Sequence, residues 1–425
     1  MTSRHLHSTL LVLAFCVSSA QAQTVQGWLP STAQVAPVLQ ASPLIQAVRA
    51  RQEAQLQRAR GLETGSGEWA MRLNLQQRRV RDPQERFAET TLALERPLRL
   101  WGKAGMDARL AEQDREVARI GLADALHEAS RQLLTQWFTA LRARLDADSA
   151  ERERQLAHEL DRQARIRLRE GDISQLDARL AEAELQRSEA TVRLTQAELA
   201  RSMAQLQRLY PGLPEPRWSQ GEAQTPASPS QTLEEALQEF LEHHHELNLL
   251  RAEARRQQQL AERIERDRWP DPSVGVYTAR ERAGTEQLVG VSLAIPLSGT
   301  WRESQARAAQ AEALALEQHV QQLERELGAQ FEARWQLLER QLQALVALRA
   351  AATTQRLAAD KSMTAYTLGE HSMTELIQNR RLANEQQLAT QRLMLDGLHN
   401  RAQLELDAHR LWDLDDGAMD DWPVK

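Results

Sequence analysis

The side chains with most chemistry to offer are few. His243-His244-His245 could supply imidazole ligands to a metal, and Cys16 is the only cysteine of 425 residues. The histidine run stands at the start of a helix, where polar starter residues are expected, and it reads as that helix start, with no metal site. Cys16 lies inside an apolar run, with Phe15 before it where a lipoprotein signal wants a small residue, so it is expected to leave with the signal peptide. Nothing resembles a Ser/His/Asp nucleophile, a phosphate-binding glycine loop or a closed Cys/His cluster, which excludes an enzyme and implies no cofactor. The net charge of -6, with basic residues interleaved among acids, gives no nucleic-acid footprint.

Two further constellations repeat. Gly171 is followed by Ser174 and Asp177, and Gly369 by Ser372 and Glu375. Each is a glycine that stops a helix and a capping box that starts the next. Around them, Ala, Leu, Glu, Gln and Arg dominate, the composition of long helices. Leu122, Leu126, Leu133, Trp137, Leu141 and Leu145 keep three-to-four spacing, and Leu156, Leu160 and Ile166 continue it. Pro97 to Gly171 spans 74 residues and Pro296 to Gly369 spans 73. Each half is therefore a very long helix that turns and comes back.

Ahead of each long helix the period changes to two. Met71, Leu73 and Leu75 alternate with Arg72, Asn74 and Gln76, and Leu92, Leu94 and Leu98 with Glu89, Thr91 and Glu95. Val274, Val276 and Thr278, then Val289, Val291, Leu293, Ile295 and Leu297, repeat the alternation. These are hairpin signals, with strands expected at 68–79, 87–98, 273–281 and 287–297. Trp69, Trp101, Trp269 and Trp301 bracket them, and Trp137 and Trp335 fall at nearly equal offsets. The chain reads as an internal two-fold repeat.

The boundaries follow. Residues 1–22 carry Arg4, an apolar run and Ala20-Gln21-Ala22, a secretory signal. Residues 23–210 form the first repeat, beginning with an extended arm to residue 37 and a helix over 38–64. Residues 211–230 are a proline-rich connector, 231–412 the second repeat and 413–425 an acidic, mobile tail. No later run is apolar and long enough for a spanning helix, so an exported chain of this kind meets a membrane through strands. Four strands cannot close a barrel, but three copies give twelve, with the apolar face toward lipid and the polar face toward a wet lumen. The four Trp residues then share one interfacial ring.

In Leu94-Glu95-Arg96-Pro97-Leu98, Leu293-Ala294-Ile295-Pro296-Leu297, and the tip motifs 168–174 and 366–372, the chain resembles the TolC family of outer-membrane efflux proteins. The resemblance implies a mainly α fold with a small β part: a homotrimer whose twelve-stranded barrel lies in the outer membrane, continued by a periplasmic α-barrel tunnel. It also implies a periplasmic gate. The family's acidic residue, tyrosine and arginine fall here on Asp177, Tyr366 and His371, and its two acidic rings on Glu375 and Gln378. His371 for arginine makes a pH-sensitive lock possible, and Gln378 leaves one ring neutral. The tips, with Gly171, Ser174, Gly369 and Ser372, would dock a periplasmic adaptor, which an inner-membrane resistance-nodulation-division (RND) transporter energises. Leu100-Trp101-Gly102-Lys103-Ala104 with Asp107 is most like the outer-membrane subunits of heavy-metal cation pumps. Drug efflux and type I protein secretion are the alternatives within the family. A periplasmic coiled-coil structural or adaptor protein is the alternative outside it.

Overall fold

A computed structural model describes residues 29–65, 67–217, 231–297 and 299–414. The expected signal segment with Cys16, most of the expected connector and residues 415–425 lie outside the described residues. Among the described residues, eight α-helices and four strands follow one another as α1 (Thr32–Gln40), α2 (Pro43–Thr64), β1 (Ala70–Arg81), β2 (Gln84–Pro97), α3 (Lys103–Glu170), α4 (Gln175–Leu209), α5 (Leu233–His243), α6 (His245–Arg266), β3 (Ser273–Glu281), β4 (Glu286–Ala294), α7 (Thr300–Thr367) and α8 (Met373–Asp407). Both long helices have 68 residues and both returning helices 35. At 1.5 Å per residue, 68 residues reach about 100 Å.

The start of the chain departs from its reading. An extended arm was expected to residue 37, yet α1 begins at Thr32 and carries Pro37 inside it. Gln34 accepts the Ser31 backbone N–H at 2.9 Å, capping the helix start. Val35 and Leu39 are fully buried, and that packing outweighs the hydrogen bond which Pro37 cannot make. The expected helix over 38–64 is split at Ser42, whose hydroxyl accepts from Ile45 N with Pro43 in the first turn. At the other end, Leu411, Trp412 and Leu414 are buried in the main core, and Trp412 Nε1 donates to Pro30 O at 2.7 Å. The acidic tail therefore begins later than residue 413.

α2 and α4 both pack on α3, α6 and α8 contact both α3 and α7, and α4 also meets α8. The main core joins α1, α3, α4 and α8 around Leu133, Trp137, Phe138 and Leu141, and a second, around Phe240, Phe331, Trp335 and Leu338, joins α5, α6 and α7. Trp137 and Trp335 are each buried in one of these. Leu194 and Leu209 on α4, and Leu314, Leu337, Val346 and Leu357 on α7, are left exposed in the single chain.

The strands form an antiparallel sheet in sequence order. Leu73 faces Leu92, Leu92 faces Thr278 and Thr278 faces Val289; one residue on, Asn74 faces Thr91 and Thr91 faces Ala279. The register thus gathers Met71, Leu73, Leu75, Leu92, Leu94, Val276, Val289 and Val291 on one face, as a period of two requires, while Val80, Phe87 and Leu288 fall on the other. β1 and β2 extend further at their hairpin than expected, and β4 ends at Ala294. Beyond it, Pro296 has no N–H to continue a ladder.

Candidate functional site

The apolar face of the sheet is open to solvent in the single chain. Met71 is 74% exposed, Val289 86% and Val291 83%. With Leu92 on β2 and Val276 on β3 also exposed, apolar side chains on all four strands mark a surface that another medium or molecule covers. The opposite face is polar and internally bonded. Gln76 donates to Glu89 at 2.8 Å, and Arg78 pairs with both Glu89 at 3.0 Å and Glu281 at 3.2 Å. Arg72 pairs with Glu95 at 2.5 Å. Tyr277 lies opposite Gly290, and a Cβ there would meet the ring at 2.6 Å. The glycine gives the ring its seat.

The four tryptophans stand where strands meet helices and are 55–69% exposed. Trp101 and Trp269 are neighbours, their rings 6.2 Å apart, and Arg96 lies over the Trp69 ring at 5.6 Å. Beneath them is a buried ionic hub that sequence reasoning missed, although its first members sit in the Leu100–Asp107 motif. Lys103, 1% exposed, reaches Asp267 at 3.0 Å, Asp271 at 3.1 Å and Trp269 O at 2.8 Å. Asp107 accepts from Arg99 at 3.0 Å and Arg263 at 2.6 Å. Burial alone would raise the Asp267 carboxyl, but hydrogen bonds from Arg263 and Lys103 hold it below the usual range. Arg99 also donates to the carbonyls of Leu62, Glu63 and Thr64, the unpaired end of α2. Gly65 follows at φ 78 and ψ 158, and a Cβ there would sit 2.5 Å from the Arg99 guanidinium. This network fastens both strand pairs to α2, α3 and α6.

At the far end of the long helices both capping boxes are formed. Ser174 and Asp177 exchange bonds of 2.8 and 3.1 Å, and Ser372 and Glu375 of 2.9 and 3.3 Å. Gly171 and Gly369 hold φ 81 and 79, a left-handed turn that suits glycine. The backbone N–H of Ser372, with its hydroxyl, keeps the Glu375 carboxyl below its usual range. Glu375 and Gln378 both face solvent.

Tyr366 is buried where the two helical hairpins meet, among Leu160, Ala164, Met373, Leu376 and Ile377. Arg167, on the facing hairpin, lies over its ring at 5.0 Å. Burial pushes the Tyr366 phenol up, with Arg167 opposing and Asp177 adding to the push. The hydroxyl finds no partner among the described residues. Tyr366 and Asp177 are thus close enough to feel each other, and in the single chain they make no hydrogen bond. His371 is held elsewhere, its Nδ1 3.3 Å from Ser362 Oγ. Above the tips, Glu184 on α4 accepts from Arg381 on α8 at 3.0 and 3.1 Å, and Asn384 donates to Glu153 at 2.8 Å. This clamp between hairpins had no sequence signal, because its partners are about two hundred residues apart.

No protein-family model matches the chain. The cobalt-zinc-cadmium resistance protein CzcC of Cupriavidus metallidurans is 30% identical over 219 residues, which are 51% of this chain and 52% of that protein. The chain thus spans about half the length of the curated relative it matches. The Campylobacter jejuni CmeC outer-membrane channel superposes with a TM-score of 0.66 at 13% identity, over 90% of this chain and 85% of that one. The outer-membrane channel OprN gives 0.73 at 15% identity, over 91% of both chains. CusC, described as forming a transmembrane channel, gives 0.69 at 13%, over 92% and 94%. At these identities the likeness shows a common fold.

Proposed function

We propose that this chain, which has the TolC-type channel fold, trimerises into the outer-membrane duct of a tripartite efflux pump that exports heavy-metal cations. It is a passive conduit, not an enzyme. The observation that carries this reading is the sheet: four strands with a continuous exposed apolar face and two unpaired edges, β1 and β4. An exposed apolar edge is an aggregation hazard unless something pairs with it. Pairing β4 of one copy with β1 of the next removes every edge, giving twelve strands with lipid outside and the Gln76, Glu89 and Glu95 face toward water. The exposed leucines of α4 and α7 then meet between copies, and the two-fold repeat becomes a tunnel of quasi-equivalent helices. Trp69, Trp101, Trp269 and Trp301 form one interfacial ring.

In the same reading the tips reach through the periplasm to an adaptor, which couples the duct to an inner-membrane RND transporter. Asp177, Tyr366 and His371 act as the gate, and Glu375 and Gln378 line its neck. Heavy-metal cations are favoured as cargo by the likeness to CzcC, a cobalt-zinc-cadmium resistance protein. The test is susceptibility of a deletion strain, with the mass of the purified protein in detergent. Metal sensitivity with a trimer mass supports the proposal, while dye and antibiotic sensitivity with that mass keeps the duct and replaces the cargo. A monomer that never enters the membrane fraction overturns the barrel.

A further inference from the structure

Three histidines from separate segments meet against α3: His127 within it, His245 as the first residue of α6, and His409 just past the end of α8. One ring nitrogen from each lies within 4.8 Å of the other two. The ring centroids are 5.4 Å apart for His127 and His245, 5.7 Å for His127 and His409, and 4.6 Å for His245 and His409. His409 adopts φ 56, an uncommon conformation for a residue with a side chain, which turns the chain back at this point.

We propose that His127, His245 and His409 form a resident site for one divalent transition-metal ion of the zinc class per chain. Three neutral imidazoles without thiolates suit zinc, cobalt, nickel or copper, whereas calcium and magnesium take oxygen ligands. A tetrahedral zinc at about 2.0–2.1 Å from nitrogen places its ligands about 3.3 Å apart. Binding therefore draws the three nitrogens together from a present spacing of up to 4.8 Å.

The surroundings supply what such a site needs. The buried Asp407 carboxylate lies 3.5 Å from His127 Nε2, close enough to orient that ring. Arg131 stands 3.4 Å from the same Nε2, but Asp407 engages it at 2.8 Å and also binds Arg334 at 2.5 Å. Asp124, on α3, adds a carboxyl whose proton affinity burial raises and His245 and His127 lower. On its outer side the cluster borders a cavity of about 640 Å³ lined by His243, Glu239 and Asp413. Asp413 or water can therefore take a fourth position. His127 stands 24 residues into α3, roughly 36 Å along its axis from the strands. An ion there fastens α6 and the end of α8 to α3 midway along the molecule. The site is a fixture of the wall and does not depend on what the duct carries.

Untagged full-length protein in detergent, titrated with zinc alone, tests this. The expected result is one equivalent per chain, a rise in melting temperature, and tetrahedral d–d absorption when cobalt replaces zinc. His245→Gln and His409→Gln each weaken binding by on the order of tenfold or more, and His243→Gln, one residue outside the ligand set, does not. No binding at micromolar zinc by the parent protein overturns the proposal. So does parent-like stoichiometry and affinity in both His245→Gln and His409→Gln, with circular dichroism showing each folded.

Discussion

The ammonium of Lys103 lies 3.1 Å from the Asp271 carboxylate while being 1% exposed, so a buried cation at the start of α3 is tied to the loop that opens β3. A buried charge is tolerated only when its partners satisfy it, and removing one partner strands the rest. Lys103→Met leaves Asp267 and Asp271 without their cation. Both acids keep some contact with water, so we predict a loss of about 2–3 kcal/mol, below the cost of a fully buried pair. It should be read as a melting temperature several degrees lower by circular dichroism. An unchanged melting temperature would show that the hub is not what joins strands to helices.

The two faces of the sheet separate a second prediction. Val291 is 83% exposed on the apolar face, and a lysine on a lipid-facing strand costs about 2–4 kcal/mol at the membrane midplane. Val291→Lys should therefore cut the amount of trimer recovered in the outer membrane. Asn74→Lys, on the other face, should insert normally and shift the ion selectivity of single channels. Equal recovery of the two variants would mean that the apolar face does not meet lipid.

Local chemistry explains how much of this was legible. Strand β3 was readable to its ends because Val274, Val276 and Thr278 alternate with Ser273, Gly275 and Tyr277, one set exposed and the other partly covered. The tips were readable because Gly171 and Ser174, like Gly369 and Ser372, act on their immediate neighbours. Helix α1 was not, since its stability comes from burying Val35 and Leu39 against distant segments. The Lys103 hub, the Glu184–Arg381 clamp and the meeting of His127 with His245 and His409 were invisible for the same reason. Each is made by residues far apart in the chain, and a single sequence carries no signal for such pairs.

His399 yields a prediction about pH. It stacks on Phe138 with centroids 4.7 Å apart, and burial, with Arg334 on α7 and Arg142 on α3 adding to it, lowers its pKa to about 4. The unfolded chain takes up this proton near pH 6.5, so it binds more protons than the folded one between those values. Stability is then complete above about pH 6.5, falls as pH drops toward 4, and levels off below. Over that window the His399 contribution is roughly 1–3 kcal/mol. His399→Leu keeps the packing against Phe138 and should flatten the decline of melting temperature between about pH 6.5 and 4. An unaltered slope would assign the acid sensitivity to other groups.

The proposed gate is the sharpest test of the tips. Tyr366 carries a buried hydroxyl without a hydrogen-bond partner among the described residues, and Asp177 is near enough to raise its pKa while being occupied by Ser174. An unpaired buried hydroxyl costs free energy until a partner arrives, and a Tyr366–Asp177 hydrogen bond would relieve that cost. That bond is the expected closed state. Tyr366→Phe removes the partner without disturbing the cap, and should raise single-channel conductance in planar bilayers with little change in stability. Asp177→Ala should raise it as well, and also cost about 1 kcal/mol through the lost cap. Conductance equal to the parent protein in both variants would remove these residues from the lock and leave Asp177 with its capping role alone.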